Sequence, residues 1–431
     1  MLCALGGTGV TLLQFLGGCR TIGGSAVLLK SNHASALVDY GIYMSQTPHF
    51  PLPCSPRELS AMILTHCHLD HSGTVPLLYV SGSTDLYATQ MTLGLTELLL
   101  TDEIGLSGEL LPFEENELTK MMKKSHPINL EDVIELNKDF SVKFTDAGHI
   151  PGSISAHFET EGKRILVTGD INTVGTRLLE GAKFDVSSLD AIVIEATYAL
   201  QDHPNREDTE KDFVDSVRQI LEDDQGKVLI PAFAVARSQE ILCILEKYGV
   251  EHPITIDGMV RAASKVILRN PTFIRDYPLL SRALEKATWV RGKKDKHRAL
   301  SNSGIVVASA GMLEGGAAIG YLDAFSQDPR NGVFLVSFQI PGTNGRSLLE
   351  TGTYISSSGE KRKAKSKVKF FEFSSHCGKT ELWEILKGLS SSAKVYVVHG
   401  EPQACDSLAA RIREELGLEA TAPKNGDSFE I

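Results

Sequence analysis

The chain has 431 residues, of which 42% are hydrophobic and 23% are charged, a balance typical of a globular protein with two or three domains. This composition excludes a disordered, collagen-like or coiled-coil protein, and no apolar stretch approaches the roughly 18–20 residues that cross a bilayer. A net charge of −11 argues against a protein that coats nucleic acid through bulk positive charge, although it leaves room for a local basic groove.

The first 200 residues alternate short apolar runs with loops that end in Gly, Asp or His, which predicts strands with polar side chains beyond their carboxyl ends. Between His71 and Asn137 the apolar spacing favours helices instead. The predicted strands are TLLQFLGG, SAVLLK, SALVDYG, LSAMILTH, VKFTDAGH, RILVTGD and DAIVIEATY.

From about Asp202, helical and strand patterns alternate, which predicts a largely parallel sheet covered by helices on both faces. After the basic run Lys361–Lys369 the chain returns to strand, helix, strand and helix. The strands VKFFEFSSH and AKVYVVHG again carry polar residues at their ends.

The seven cysteines are odd in number, scattered and without a C-x-x-C pair. Such usage is typical of reduced thiols and not of a disulfide framework. The predicted compartment is therefore the cytoplasm.

The densest cluster of candidate ligands is HCHLDH at residues 66–71, directly after a predicted strand. Three imidazoles and a carboxylate within six residues have the density that a two-metal site needs, because imidazole suits zinc and a carboxylate completes a second ion. An incidental His-rich loop does not account for the pattern. Cys67 alternates with His66 and His68, so its side chain is predicted to point away from them and to pack.

Three later residues each follow a predicted strand and offer ligands that a binuclear site still lacks: His149 in DAGHIPGS, Asp170 in LVTGD and His399 in YVVHGE. Each alone is weak evidence, whereas their order and shared context favour one site. Asp39 in ALVDYG is a candidate to orient a metal-bound imidazole, and a turn residue at a strand end is the competing interpretation.

With these motifs the chain resembles the metallo-β-lactamase superfamily and, within it, the β-CASP branch of nucleic-acid-processing nucleases. The resemblance runs from LGGCRTIGGSA to VHGE and includes PAFAVARSQE, VVASAGMLEGG and GTNGRSLLE, which are similar to the inserted domain of that branch. It is strongest to short archaeal cleavage and polyadenylation specificity factor-like nucleases without KH domains. The residues that match the motifs of the branch are Asp39, His66, His68, Asp70, His71, His149, Asp170, Glu195, His376 and His399.

The resemblance implies a ribonuclease with two zinc ions. Such a pair, roughly 3.5–4 Å apart, lowers the pKa of a shared water and stabilises charge on the reacting phosphate. His376, oriented by Glu195, is the implied acid that protonates the leaving 3′ oxygen, although Glu195 is also interpretable as a structural carboxylate. The implied ligands are His66, His68 and His149 for one ion and Asp70, His71 and His399 for the other, with Asp170 bridging and Asp70, Asp170, Glu195 and His376 as the catalytic set.

RNA is the implied substrate, held in a cleft between two domains and cut to a 5′-phosphate and a 3′-hydroxyl by 5′ to 3′ exonuclease or endonuclease action. Ser309 and Gly311 lie in a glycine-containing turn before a predicted helix, whose N–H groups suit a phosphate oxygen. Arg237 and Arg346 each follow a strand or a glycine turn and are candidate phosphate clamps. For each arginine, an ordinary salt bridge is an equal alternative.

Two runs are locally basic, Arg291–Arg298 and Lys361–Lys369. For either run alone, a solvated charged loop is the competing interpretation. The second run is predicted to line the RNA path, with an exposed hairpin as an equal alternative.

The predicted fold is α/β, with an αββα metallo-β-lactamase sandwich formed by residues 1–198 and 355–431 and an inserted α/β β-CASP domain at residues 199–354.

One rival function is a non-catalytic or weakly active subunit of an RNA 3′-end-processing complex, against which the filled ligand positions argue. Another is a small-molecule metallo-hydrolase, which leaves the inserted domain without a purpose. No membrane partner is expected. The sequence leaves open the nuclease mode, RNA preference, a homodimer and partners in a processing complex.

Overall fold

The computed structural model describes residues 10–43, 47–183, 185–302 and 304–431. These residues form two compact units. The first unit combines the described residues up to Gly175 with Glu180–Asp202 and Ser375–Ile431, and the second unit combines Thr176–Leu179 with His203–Ser374. Within the described ranges, no helix is both long and apolar enough to cross a membrane.

The units differ from the predicted domain boundaries mainly at residues 355–374, which group with the second unit. The physical reason is strand pairing, because Lys367–Phe370 forms a parallel ladder with Gly332–Leu335 in the sheet of that unit.

The N-terminal part of the first unit supplies eleven of its described strands and four short or medium helices. The strands are β1 (Leu12–Gly17), β2 (Ala26–Lys30), β3 (Ser35–Val38), β4 (Ala61–Ile63), β5 (Leu86–Thr89), β6 (Ser125–Ile128), β7 (Val133–Asn137), β8 (Phe140–Asp146), β9 (Ile154–Thr160), β10 (Lys163–Val167) and β11 (Ala191–Glu195). The helices are α1 (Leu69–Ser72), α2 (Leu78–Ser81), α3 (Gln90–Ser107) and α4 (Glu115–Lys123).

The second unit follows with alternating strands and helices. The strands are β12 (Val228–Pro231), β13 (Ile254–Asp257), β14 (Thr288–Trp289), β15 (Ile305–Ala308), β16 (Gly332–Leu335), β17 (Thr353–Ile355), β18 (Lys361–Lys363) and β19 (Lys367–Phe370). The helices are α5 (Arg206–Arg218), α6 (Arg237–Lys247), α7 (Val260–Leu268), α8 (Tyr277–Lys286), α9 (Lys293–Asn302), α10 (Gly316–Phe325) and α11 (Asn344–Thr351).

The C-terminal segment returns to the first unit and completes its two sheets. Its elements are α12 (Lys379–Lys387), β20 (Lys394–Val398), α13 (Pro402–Arg411), β21 (Glu419–Thr421) and β22 (Ser428–Glu430). Among the described residues, one seven-stranded sheet has the order β22-β1-β2-β3-β4-β5-β6 and the other β21-β20-β11-β10-β9-β8-β7.

The two sheets of the first unit pack face to face over an apolar core. Phe15 and Val27 from one sheet, and Phe140, Phe158 and Val193 from the other, are buried in this core. Each fully buried side chain of this size contributes about 1.5–3 kcal/mol. Helices α2, α3 and α4 cover the outer face of one sheet, and α12 and α13 cover the other. The first unit is thus the predicted αββα sandwich.

In the second unit, six of the eight described strands form a sheet of order β14-β13-β15-β12-β16-β19, and β17 and β18 form a separate two-stranded sheet. Every ladder in the six-stranded sheet is parallel, as the alternation of helix and strand predicts. Strands β12, β15 and β16 are buried throughout, which is the pattern of a sheet with helices on both faces.

Candidate metal centre

Candidate ligands converge in the first unit because each follows the carboxyl end of a strand. Residues 65–71, called the ligand loop here, follow β4, which lies parallel to β3. Asp170 and His399 follow β10 and β20, which flank β11 in parallel. Parallel strands place their carboxyl ends at one edge of a sheet, so residues far apart in sequence meet there.

Asp39 anchors the start of the ligand loop. The backbone N–H of Thr65 donates to Asp39 Oδ1 at 2.8 Å, and the Thr65 hydroxyl donates to Oδ2 at 2.7 Å. Asp39 itself has a φ of +57°, in the left-handed region where aspartate is tolerated better than most non-glycine residues. The buried carboxylate thus joins the ends of β3 and β4.

The first ligand group consists of His66, His68 and His149. His68 Nδ1 lies 3.2 Å from His66 Nε2 and 3.3 Å from His149 Nε2. Three nitrogens around one tetrahedral zinc, each bonded at about 2.0–2.1 Å, lie about 3.3–3.4 Å from one another. The three imidazoles therefore match the donor set and spacing of a zinc site.

The second ligand group consists of Asp70, His71 and His399. His399 Nε2 lies 3.3 Å from His71 Nε2 and 3.4 Å from Asp70 Oδ2. Asp170 connects the two groups, because its Oδ2 lies 3.4 Å from His71 Nε2 and 3.7 Å from the Nε2 atoms of His66 and His149.

The other ring nitrogen of several imidazoles is held by a protein group outside the centre. His71 Nδ1 lies 2.7 Å from Asp39 Oδ2, and His149 Nδ1 donates to the carbonyl of Ser375 at 2.8 Å. His399 Nδ1 lies 3.2 Å from the Thr197 hydroxyl. Such outer contacts fix the tautomer and the orientation of each ring.

The protonation states of the imidazoles and carboxylates in the centre favour the binding of cations. Burial lowers the pKa of His66 and of His149 well below the usual value, and neighbouring imidazoles add to this effect, so both rings are neutral donors. Burial opposes the ionised form of Asp170, yet His399 and His71 hold its pKa well below the usual range. Burial likewise opposes a charged His71, but Asp170 and Asp39 raise its pKa well above normal. The carboxylates therefore stabilise positive charge within the centre.

A buried carboxylate oxygen without a hydrogen bond also fits a cation site. Among the described residues, Asp170 Oδ1 is buried and accepts no hydrogen bond, and it lies 3.3 Å from His399 Nδ1. Leaving a buried acceptor unsatisfied costs about 1–3 kcal/mol. Together with the groups of imidazole and carboxylate donors, this atom indicates that the residues present fit a divalent metal such as zinc.

His376 lies beside the centre with Glu195 behind it. Its Nδ1 is 3.0 Å from both carboxylate oxygens of Glu195, and its ring centroid is 4.4 Å from that of His149. Glu195 also accepts the backbone N–H of Ile171 at 2.8 Å. Burial would lower the pKa of His376, but Glu195 outweighs it and raises that pKa to about 9. His376 therefore carries a proton at neutral pH.

Two contacts of the centre were missed by sequence reasoning: Thr197, and the backbone carbonyl of Ser375. Thr197 follows Glu195 by two positions, a spacing that offers only a weak signal at a strand end. A backbone carbonyl leaves no residue-type signal at all. Cys67 is buried, and burial raises the pKa of its thiol, so it packs as an inert side chain next to the ligands.

Gly41 lies against the ligand loop. A Cβ at this position would collide with the backbone carbonyl of Asp70, while the neighbouring Tyr40 and Ile42 N–H groups donate to the carbonyls of His71 and Leu69 at 2.8 and 2.9 Å.

We expect Gly41→Ala to displace the ligand loop and to reduce zinc content. The free energy of unfolding should fall by about 1–3 kcal/mol or more. Chemical denaturation and metal analysis measure both effects. Gly105→Ala is the matched control, since nothing lies within 4 Å of a Cβ in that exposed turn of α3 and alanine stabilises a helix by up to about 1 kcal/mol. Equal stability of the two variants would contradict the close contact.

The four predicted phosphate contacts all lie in the second unit. Arg237 begins α6 after β12, and Ser309 and Gly311 follow β15, the neighbour of β12. Gly311 is tightly confined, because a Cβ there would meet the Phe233 backbone nitrogen at 3.0 Å. Arg346 Nε lies 2.6 Å from Glu350 on the same helix, which is the salt bridge that the sequence left as an alternative.

Three known families match successive parts of the chain. Residues 20–208 match the metallo-beta-lactamase superfamily, residues 238–348 the Beta-Casp domain, and residues 361–423 the Zn-dependent metallo-hydrolase RNA specificity domain. The matches cover both the αββα unit and the parallel sheet of the second unit.

Two curated relatives and one solved structure align with almost the whole chain. RNase aCSPSF2 of Saccharolobus solfataricus is 38% identical over 97% of this chain and 85% of that protein. Transcription termination factor FttA of Pyrococcus abyssi is 32% identical over 96% of this chain and 70% of that protein. A crystal structure of a protein of unknown function from Enterococcus faecalis has a TM-score of 0.61 at 14% identity and covers 98% of this chain and all of that one; at this identity it supports the fold alone.

Proposed function

Because the chain belongs to the β-CASP branch of the metallo-β-lactamase superfamily, we propose that it is a zinc-dependent ribonuclease that hydrolyses RNA phosphodiester bonds in RNA processing or decay. The observation that carries the proposal is the pair of ligand groups sharing Asp170 Oδ2, with His376 beside them. The name of the Saccharolobus solfataricus relative supports RNA as the substrate.

In this proposal, each of the two ligand groups holds one ion. His66, His68 and His149 would hold one zinc, and Asp70, His71 and His399 the other, with Asp170 between them. When bound, a zinc pair lowers the pKa of water to about 7 and offsets the negative charge that develops on the transferring phosphate.

His376 supplies the proton that the leaving group needs. Hydroxide adds to phosphorus, the bond from phosphorus to the 3′ oxygen breaks, and His376 gives its proton to that oxygen, which leaves a 5′-phosphate and a 3′-hydroxyl. Since Nδ1 faces Glu195, the proton leaves from Nε2. Glu195 is a positioning residue that keeps the ring charged before the reaction.

Metal analysis is the first test. We expect two zinc equivalents per chain and complete loss of RNA cleavage after chelation, because both donor groups are filled. Circular dichroism should change little, since each unit has its own large apolar core. Less than one zinc equivalent in a zinc-replete preparation would rule out the two-ion centre.

RNA labelled at either end, with a 5′-monophosphate or a 5′-triphosphate, tests the reaction itself. Release of labelled mononucleotides from the 5′ end indicates a 5′ to 3′ exonuclease, whereas a ladder of internal products indicates an endonuclease. The absence of any zinc-dependent cleavage would refute the proposed activity. The cytoplasm remains the proposed compartment, because all cysteines among the described residues are free thiols.

A further inference from the structure

An exposed basic ridge lies on α9 and the two residues before it in the second unit. The ridge consists of Arg291, Lys293, Lys294, Lys296 and Arg298, with His297 beside them. Arg291, Lys293, Lys294 and Arg298 are exposed. The one acid within this run, Asp295, accepts the backbone N–H of Arg291 at 3.0 Å. In the described part of the chain, no carboxylate forms an ion pair with the four exposed cations. Their charge is therefore available to a partner.

In the second basic run, Lys361–Lys369, two of the six cations are paired with carboxylates of the same unit. Arg362 pairs with Glu360 at 2.7 Å, and Lys367 pairs with Asp224 at 2.6 Å. Lys369 Nζ donates to the Ser216 hydroxyl at 2.8 Å. Its first part, β18, pairs antiparallel with β17 as a hairpin, and its last part, β19, pairs with β16 in the six-stranded sheet. Two runs of similar basic density thus differ in how far their charges are neutralised.

Repulsion between like charges of the ridge destabilises α9. Lys294 and Arg298 are four positions apart on α9, so two like charges are neighbours on the helix surface, whereas Lys296 Nζ lies 5.2 Å from the centre of the Tyr321 ring. Such a pair of like charges destabilises a helix by about 0.2–0.5 kcal/mol. Only Ala299 of α9 is fully buried, so little packing offsets this repulsion. A polyanion lying on the ridge would relieve it.

A shallow groove of about 620 Å³ adjoins the ridge. Trp289 and Arg291 line it together with Glu285 and Asp295. The indole is fixed in place, because its N–H donates to the Leu284 carbonyl at 2.9 Å. The two acids disfavour a phosphate inside the groove, whereas an aromatic wall suits a nucleobase.

We propose that the ridge binds the phosphates of single-stranded RNA while a base of the same strand packs against Trp289 in the groove. Proteins that bind single strands commonly combine a basic track with an aromatic platform in this way. The inference rests on the proposed ribonuclease function for the identity of its partner. It adds a binding surface made of residues other than those of the metal centre.

The test compares two triple variants with equal loss of charge. The ridge variant is Lys293→Gln, Lys294→Gln and Arg298→Gln. The control is Lys211→Gln, Arg282→Gln and Lys286→Gln, three exposed cations of the same unit that are already paired with carboxylates. Both are made on an Asp70→Ala background, and affinity for a single-stranded RNA is measured by fluorescence anisotropy at several salt concentrations.

The ridge variant is expected to bind at least about tenfold more weakly at low salt, and its log–log salt slope should fall by about 0.7 for each lost phosphate contact. The control should keep the slope of the parent. Trp289→Phe should retain binding, and Trp289→Ala should weaken it without changing the slope. Equal losses in both triple variants, or no change in either, would overturn the proposal. Poly-glutamate serves as a second probe in the same assay. A ridge variant that lost binding to poly-glutamate but kept its binding to RNA would also overturn the proposal, in favour of an acidic protein partner.

The two proposals fail in different ways. If the wild-type protein with zinc cleaves no RNA, the ribonuclease proposal fails, whereas the salt slope of the ridge variant still reports RNA binding. If the wild type cleaves RNA and the ridge variant retains its slope, only the ridge proposal fails.

Discussion

Asp70→Ala is expected to abolish RNA hydrolysis while leaving RNA binding largely intact. Asp70 Oδ2 lies 3.4 Å from His399 Nε2 in the second ligand group, so its loss removes the carboxylate of that group. Loss of an outer contact alone typically costs about 10- to 100-fold in metal affinity or activity, and loss of a ligand should cost more. Single-turnover cleavage and anisotropy with the same RNA measure the two quantities separately. His71→Ala should behave in the same way.

The fold should tolerate this change, because the Asp70 side chain is 31% exposed and its truncation leaves no large cavity. Asp102→Ala, on the exposed surface of α3 in the same unit, is the matched control and should cleave within about twofold of the wild type, as a typical surface substitution does. Cleavage at a near wild-type rate by Asp70→Ala would show that the centre is placed wrongly.

His376→Ala is expected to reduce the rate of cleavage by about 10²- to 10⁴-fold, the usual contribution of a general acid. Zinc content should stay at two equivalents, because both ligand groups are complete without His376. The measurement is therefore single-turnover cleavage together with metal analysis. A variant that loses both zinc and activity would identify His376 as a metal ligand instead of an acid.

The pH profile tests the link between His376 and Glu195. A general acid works only while protonated, so cleavage should fall as the pH rises through the pKa of His376, which burial would lower and Glu195 raises to about 9. Glu195→Gln removes the negative charge at 3.0 Å and lowers that pKa. The alkaline decline should therefore move to lower pH. An unchanged profile would assign Glu195 a purely structural role through its bond to Ile171.

The architecture was predicted well because apolar periodicity and the alternation of strands and helices can both be recognised within short stretches of sequence. Alternating apolar runs mark β1–β4, β8, β10 and β11, whereas β9 and the three strands β5–β7, which lie in the stretch predicted to be helical, were missed. The βα alternation after Asp202 predicts the parallel sheet that the structure contains. The αββα fold and the family are confirmed. The end of the inserted unit was harder to predict, because β19 joins the sheet of the second unit only by pairing with β16, a contact that no local pattern reports.

The candidate ligands were recognisable from the sequence alone, because each carries a metal-binding side chain at a strand end, and the ligand loop concentrates four of them within six residues. Only the tertiary structure reveals three further features: the grouping of the ligands around Asp170 Oδ2, the contacts with Thr197 and Ser375, and the elevated pKa of His376. The same holds for the two basic runs, which are similar as sequences but differ in their ion pairs. The physical reason is range: residue type and strand periodicity act over a few positions, whereas distance, desolvation and charge pairing depend on segments up to hundreds of residues apart.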